Sequence, residues 1–305
     1  MHSVVITEKN KDLAKLELNW GRPLFTSDDG LGSLDSLYQA GDAIVSVACL
    51  VNGETKSIGS GVIVGPGMIF TATHVLDDFK FKGLDPILLS FLPENKSRIW
   101  LPKSTVNCKG ESRFQSWDLK SQIVSDLSIM SCDLHSDAIT EYPLSLIPME
   151  LCLPLPNTRL WAVGFRHGEL DPDGSNIAPI VTSGLVTECF PNGRGERMPS
   201  PCVEVDMETL GGMSGGPVFN EDGRLVGIVS SSFDGGPSYV TLIWDAMRLP
   251  LRKLPSEIWK GEFSGILEGI DLDLVRVKGK YDADSQRNVT LTLSDEEMKF
   301  CAECV

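Results

Sequence analysis

From Ala43 onward the chain is a succession of short apolar runs. They are AIVSVACLV (43–51), IGSGVIV (58–64), MIFTATHV (68–75), ILLSF (87–91), LSIMSC (127–132), RLWAVGF (159–165), IVTSGLVTECF (180–190), CVEVDM (202–207), PVFN (217–220), RLVGIVSSS (224–232) and YVTLIW (239–244). Each is short and rich in Val, Ile and aromatic residues, as half-buried strands are. Turn chemistry separates them: Asn52-Gly53, Gly65-Pro66-Gly67, Asn192-Gly193 and Asp222-Gly223. Asn-Gly and Asp-Gly supply the positive φ angles of tight hairpins. Strands alternating with long helices, the mark of a parallel sheet, are absent, so the pattern predicts an all-β barrel or sandwich. It begins after a polar, mixed segment of about 38 residues and fades after Pro250. The chain therefore divides into an N-terminal extension (1–38), a β domain (39–250) and a C-terminal appendage (251–305). The appendage carries one strand-like run, Val289 to Leu293, and ends in SDEEMKFCAECV, which reads as a helix capped by Ser294 with acids in its first turn.

Composition narrows the class. With 305 residues, 42% of them hydrophobic, the chain can bury a core without disulfides or metals. A net charge of −15 repels phosphate backbones and anionic lipid, which excludes general nucleic-acid binding and disfavours membranes, while drawing in cationic peptides. No apolar run is long enough for a transmembrane helix. Charges at Glu8, Lys9, Lys11, Asp12, Lys15 and Glu17 leave no signal-peptide core, so a cytoplasmic location is expected. The eight cysteines, several in apolar runs (Cys49, Cys132, Cys152), are then read as reduced thiols.

The densest chemical signal is Leu210-Gly211-Gly212-Met213-Ser214-Gly215-Gly216-Pro217. Glycines on both sides of a serine let a substrate approach the backbone, and let neighbouring amides converge on one point. The G-x-S-x-G pattern also marks the nucleophile elbow of α/β-hydrolases, where the histidine follows the serine. All four histidines here (His2, His74, His135, His167) precede Ser214, which leaves that fold without a base. His74 lies among small residues in Phe70-Thr71-Ala72-Thr73-His74-Val75, at the end of an apolar run. Asp126 is embedded in Ile123-Val124-Ser125-Asp126-Leu127-Ser128-Ile129-Met130, where a carboxylate needs a partner. Asp118, Asp133 and Asp137 are its rivals, but none is followed by the same alternating run. Cys301 and Cys304 have the spacing of half a zinc site and more plainly belong to the terminal helix. Asp171 to Asn176 reads as a turn, not a calcium loop, because glycine is missing at the sixth position and Thr182 stands at the twelfth.

In this order the motifs resemble the trypsin-like serine peptidase family, closer to its bacterial HtrA-like branch than to the secreted digestive enzymes. The resemblance rests on Gly59-Ser60-Gly61-Val62-Ile63-Val64, Thr71-Ala72-Thr73-His74, Asp126-Leu127-Ser128-Ile129-Met130, Gly212-Met213-Ser214-Gly215-Gly216-Pro217 and Leu225-Val226-Gly227-Ile228-Val229-Ser230, over about residues 40–250. It implies a chymotrypsin-like fold: all-β, two six-stranded antiparallel β-barrels, here with short N- and C-terminal appendages. It implies an endopeptidase triad of Ser214 as nucleophile, His74 as base and Asp126 as its orienting acid, with an oxyanion hole from the amides of Gly212 and Ser214. Neither metal nor cofactor is called for, and the substrate is a protein or peptide. By register, Glu208 would lie at the base of the specificity pocket with Ser230, Ser231 and Ser232 along one wall, favouring Lys or Arg before the cut. The alternative is a Glu208 that points to solvent. Met213 replaces the Asp found before the nucleophile in zymogen-derived members, so an inserted N-terminal ammonium would lie unpaired there. The loop is then set from the start, or by residues 1–38, by residues 251–305, or by an activating partner. Two other functions stay open on the sequence: a protease-fold binding or scaffold protein that does not cut, and an esterase or acyltransferase using the same residues.

Overall fold

The computed structural model describes residues 13–25, 32–33, 42–94, 96–110, 123–135, 141–169, 179–195, 198–232 and 236–303. Asp118, Asp137, Asp171 to Asn176 and Cys304 lie outside them, as does the Ser232 side chain. Twelve strands carry the fold. β1 (Ile44–Val51), β2 (Glu54–Gly65), β3 (Met68–Ala72), β4 (Ile87–Leu92), β5 (Lys96–Gly110) and β6 (Ile123–Leu134) pair in the ring β1-β2-β3-β6-β5-β4 and back to β1, every pair antiparallel. β7 (Arg159–Gly164), β8 (Ile180–Phe190), β9 (Cys202–Val205), β10 (Pro217–Phe219), β11 (Leu225–Ser232) and β12 (Ser238–Leu242) form a second antiparallel ring, β7-β8-β9-β12-β11-β10. Both rings close, which leaves neither with a free edge. This is the chymotrypsin-like pair of six-stranded barrels.

Closure follows from the patterning. The first hairpin turns at Asn52 (φ 54°) and Gly53 (φ 84°), the two left-handed residues a tight hairpin needs. β3 is buried along its whole length because it lies where the first barrel meets the second, which explains its continuous apolar run. β5 was not legible as a strand. Its sequence KSRIWLPKSTVNCKG is polar and contains Pro102, but the register slips between Pro102 and Ser104, so the missing amide falls at a bulge. Buried Arg98 on β5 pairs with buried Asp42 and donates to the carbonyls of Tyr142 and Pro143, while Asp42 accepts the Ser145 amide at 3.1 Å.

The flanking segments are packed onto the barrels. Leu18–Trp20 pairs in parallel with Leu144–Leu146, in the link between the barrels, and Phe25 stacks on Trp161 of β7 at 5.3 Å. Beyond Pro250, Trp259 is 2% exposed and donates its indole N–H to the Pro66 carbonyl at 2.7 Å, under the β2–β3 turn. Val277–Lys278 pairs in parallel with Met149–Glu150, whose Met149 pairs with Leu225 of β11. The terminal helix Asp295–Glu303 begins with a reciprocal cap: Ser294 Oγ accepts the Glu297 amide, and Glu297 accepts the Ser294 amide.

Candidate active site

The site is built from two turns and a helix start. Met213 N–H donates to the Leu210 carbonyl at 3.0 Å, and Gly216 N–H donates to the Met213 carbonyl at 2.9 Å. These are consecutive four-residue turns with Gly212 (φ 100°) and Gly215 (φ 80°) at their third positions, where only glycine is unstrained. Space imposes the same choice. A Cβ on Gly212 would come within 2.3 Å of the His167 amide nitrogen, and one on Gly215 within 2.4 Å of the Ser60 carbonyl oxygen and 2.6 Å of the Ala72 nitrogen. The serine loop is thereby pressed between the two barrels.

Ser60 of β2 ties this loop down. Its amide donates to the Ser214 carbonyl at 2.8 Å. Its hydroxyl donates to the Gly212 carbonyl at 2.7 Å and accepts the Phe165 amide at 2.8 Å. His167 N–H holds the Gly211 carbonyl at 2.7 Å. With these carbonyls engaged, the amides of Gly212 and Ser214 donate to no acceptor among the described residues. Met213 is fully buried, and its sulfur accepts the Leu210 amide at 3.3 Å.

His74 does not end a strand. β3 stops at Ala72, and His74 is the second residue of α1 (Thr73–Lys82), which closes on left-handed Gly83. The first amides of a helix lack internal partners. Asp126 fills that need from β6: its Oδ1 accepts the His74 amide at 3.1 Å, so the carboxylate sits at the positive end of the helix. The same carboxylate faces the imidazole, with both oxygens 3.0 Å from Nδ1. A carboxylate can only accept here, so Nδ1 carries the proton and Nε2 is left with its lone pair. Partial burial pulls the His74 pKa down. The hydrogen bond and charge of Asp126, joined by Asp78 and Asp77 on α1, outweigh it, and the net shift is upward from 6.5.

Ser214, partly exposed, approaches from the other side. Gly59 separates its carbonyl from the Val75 side chain, and Gly215 lies against Ala72, two residues before His74. No hydrogen bond joins Ser214 Oγ to His74 among the described residues. Of the residues assigned to a specificity pocket, Glu208 and Ser231 are exposed, and Ser230 is buried with its hydroxyl 2.6 Å from that of Thr241. Asp133, the described rival of Asp126, pairs with Lys103 at 3.1 Å.

Sequence reasoning noticed Ser60 only as part of a motif and missed its role. Thr73 and Ser125 likewise appeared only inside quoted runs, and Asp245 was missed altogether. Thr73 Oγ1 donates to the Ser125 carbonyl at 2.9 Å and so ties the start of α1 to the strand that bears Asp126. The seven described cysteines are thiols, six of them buried, and burial drives up the thiols of Cys108 and Cys202, to about 12.

A probable periplasmic serine endoprotease, DegP-like, from Pseudomonas savastanoi pv. phaseolicola (strain 1448A / Race 6) is 28% identical over 197 residues, 62% of this chain. The chain spans 32% of the length of that curated relative. Among solved structures, the crystal structure of Deg5 superposes with a TM-score of 0.43 at 17% identity, covering 68% of this chain and 87% of that one. Rv3671c from M. tuberculosis H37Rv, solved as an inactive mutant, gives 0.42 at 14%, covering 73% and 92%. The model of the trypsin-like peptidase domain matches residues 59–228, more than half of the chain and the whole stretch from the Ser60 strand through the serine loop to β11, and the chain belongs to the trypsin-like peptidase family.

Proposed function

We propose that the chain is a serine endopeptidase that cuts peptide bonds with His74, Asp126 and Ser214. The supporting observation is the two-pronged contact of Asp126 with His74 Nδ1, made beside a serine loop packed onto the residues that lead into His74. In this reading Ser214 Oγ attacks the scissile carbonyl as His74 Nε2 takes its proton. Asp126 keeps the tautomer and balances the imidazolium, which then protonates the leaving amine. The oxyanion points to the amides of Gly212 and Ser214, each such donor contributing about 3–4 kcal/mol to the transition state. Water repeats the sequence on the acyl-enzyme.

The acidic surface favours a cationic protein or peptide substrate. Glu208, six residues before Ser214, is exposed, which matches the reading that points it to solvent and gives it no hold on a Lys or Arg side chain; Glu208→Ala should leave the ratio of Lys to Leu peptide turnover unchanged. Buried thiols suit a reducing compartment, so we assign the protein to the cytoplasm, unlike the relative, whose name places it in the periplasm. The buried Met213 contact and the Ser60 bonds support a loop set in the unprocessed chain, with any activating partner acting on it without cleavage.

The test is labelling by a fluorophosphonate followed by intact-mass and peptide mapping. One label at Ser214 on full-length chain, lost in Ser214→Ala and His74→Ala, is expected. Asp126→Asn should stay folded and lose turnover by roughly four orders of magnitude. A folded chain that never labels, with or without candidate partners, would make it a binding protein; label only on chains shortened near residues 38–44 would sink the self-set loop.

A further inference from the structure

Asp245 is a carboxylate that the proposed chemistry does not use. It is 1% exposed, in the helical turn Ile243–Arg248 that follows β12 of the second barrel. It receives the Arg248 guanidinium at 2.8 Å, the Ser125 hydroxyl and the Cys108 thiol. The same Arg248 nitrogen lies 2.6 Å from Cys108 Sγ. A buried ion pair is weak evidence for stability by itself. What distinguishes this one is the residue it holds.

Ser125 directly precedes Asp126 and is fully buried. Its hydroxyl oxygen accepts the Leu127 amide at 3.1 Å, which leaves its one proton for Asp245. Its carbonyl accepts from Thr73 Oγ1. A carbonyl cannot donate, so the Thr73 proton is committed there, and Ser128 must donate to Thr73 across their 2.8 Å contact. The backbone is thus fixed on both sides of Asp126 and immediately before His74, and the anchor comes from the opposite barrel.

We propose that Ser125, held by Asp245, is a positioning residue that sets the backbone at Asp126 so that both its carboxylate oxygens reach His74 Nδ1. This rests on the reading of His74, Asp126 and Ser214 as the reacting groups. The charged and titratable groups around Asp245 are Arg248 and Cys108, and around His74 they are Asp126, Asp77 and Asp78. Ser125→Ala changes none of them, which makes it the clean perturbation.

The test uses full-length chain with two readouts: turnover and KM on a peptide substrate, and the His74 titration midpoint by NMR in a Ser214→Ala background. Ser125→Ala should lower kcat about tenfold with KM unchanged, as a small displacement of a reacting group does, and should move the His74 midpoint down. Ser125→Thr should restore both, because it keeps the hydroxyl. Asp245→Asn should act in the same direction as Ser125→Ala. If Ser125→Ala does not fold, Ser125→Cys, similar in size but a weak donor, carries the same readouts. A folded variant with wild-type kcat and midpoint, or Ser125→Thr failing to restore them, would overturn the proposal. A wild-type chain that never labels at Ser214 would overturn the triad reading instead, and the NMR midpoint would still decide the role of Ser125.

Discussion

Ser60→Ala removes one oxygen from a residue that is 0% exposed and opens almost no cavity. Its effect comes through two backbone groups. The Phe165 N–H loses its acceptor and the Gly212 carbonyl loses its donor, and both residues are buried. A buried polar group left unpaired costs about 1–3 kcal/mol, so the pair predicts a loss of roughly 2–6 kcal/mol. At about 2–4 °C per kcal/mol for a large domain, the melting temperature should fall by roughly 4–24 °C. Ser46→Ala is the control. Ser46 is equally buried on the adjacent strand, but its hydroxyl meets only the Ser57 hydroxyl, at 2.8 Å, so its removal strands a single rotatable group and should cost about 1 kcal/mol. Urea unfolding followed by tryptophan fluorescence measures both. Fluorophosphonate labelling at Ser214 should slow about tenfold or more in Ser60→Ala, because the loop that carries Gly212 loses its clamp, and stay unchanged in Ser46→Ala. Equal unfolding midpoints and equal labelling rates for the two variants would refute the clamp.

Four further outcomes are expected. The rate should rise with pH through a midpoint above 6.5, since the base must be neutral and the folded His74 pKa is raised; Asp77→Asn with Asp78→Asn should bring that midpoint down. The same upward shift makes His74 a source of stability that is complete below the unfolded pKa and lost as pH rises through the folded one, which unfolding curves across that window would register. Trp259→Ala, which empties a buried site and leaves the Pro66 carbonyl without its indole donor, should cost about 3–5 kcal/mol by urea unfolding. Dithiothreitol should leave the melting temperature where it is, because the seven described cysteines are thiols; a drop would reveal a disulfide.

The strands that face both solvent and core announce themselves in the sequence, and so do the hairpins, because Asn52-Gly53 and Asp222-Gly223 encode their own geometry. β5 does not, since much of its length is only half buried and its bulge tolerates a proline. The switch from strand to helix between Ala72 and Thr73 was also hidden, because what caps the helix is Asp126, fifty-two residues away in sequence. The runs around His74, Asp126 and Ser214, which we propose as the reacting groups, stand out because each has an unusual local composition. Ser60, Ser125 and Asp245 carry no such mark: a buried serine becomes meaningful only once its partners, 105 and 152 residues away for Ser60, are brought to it. Residues 251–305 read as an appendage because their apolar positions, Trp259 and Val275 among them, are too sparse to show a period, yet these two both lie against Gly65 at the β2–β3 turn.

The division of the site between two closed barrels has a consequence for biosynthesis. The first barrel is complete in sequence at Leu134, with His74 and Asp126 in place, but the serine loop and β12, which ends at Leu242, are made later. At about 5–20 residues per second, a ribosome takes roughly 5–20 s to span that interval. During it the nascent chain carries His74 and Asp126 but not Ser214, and the residues that will receive the serine loop, Ser60 with Thr71 and Ala72, precede it in synthesis. Asp245 and Trp259, which clamp the acid strand and the β2–β3 turn, emerge later still. On the proposed reading of His74, Asp126 and Ser214, the order of synthesis withholds peptide cutting until the second barrel has been made.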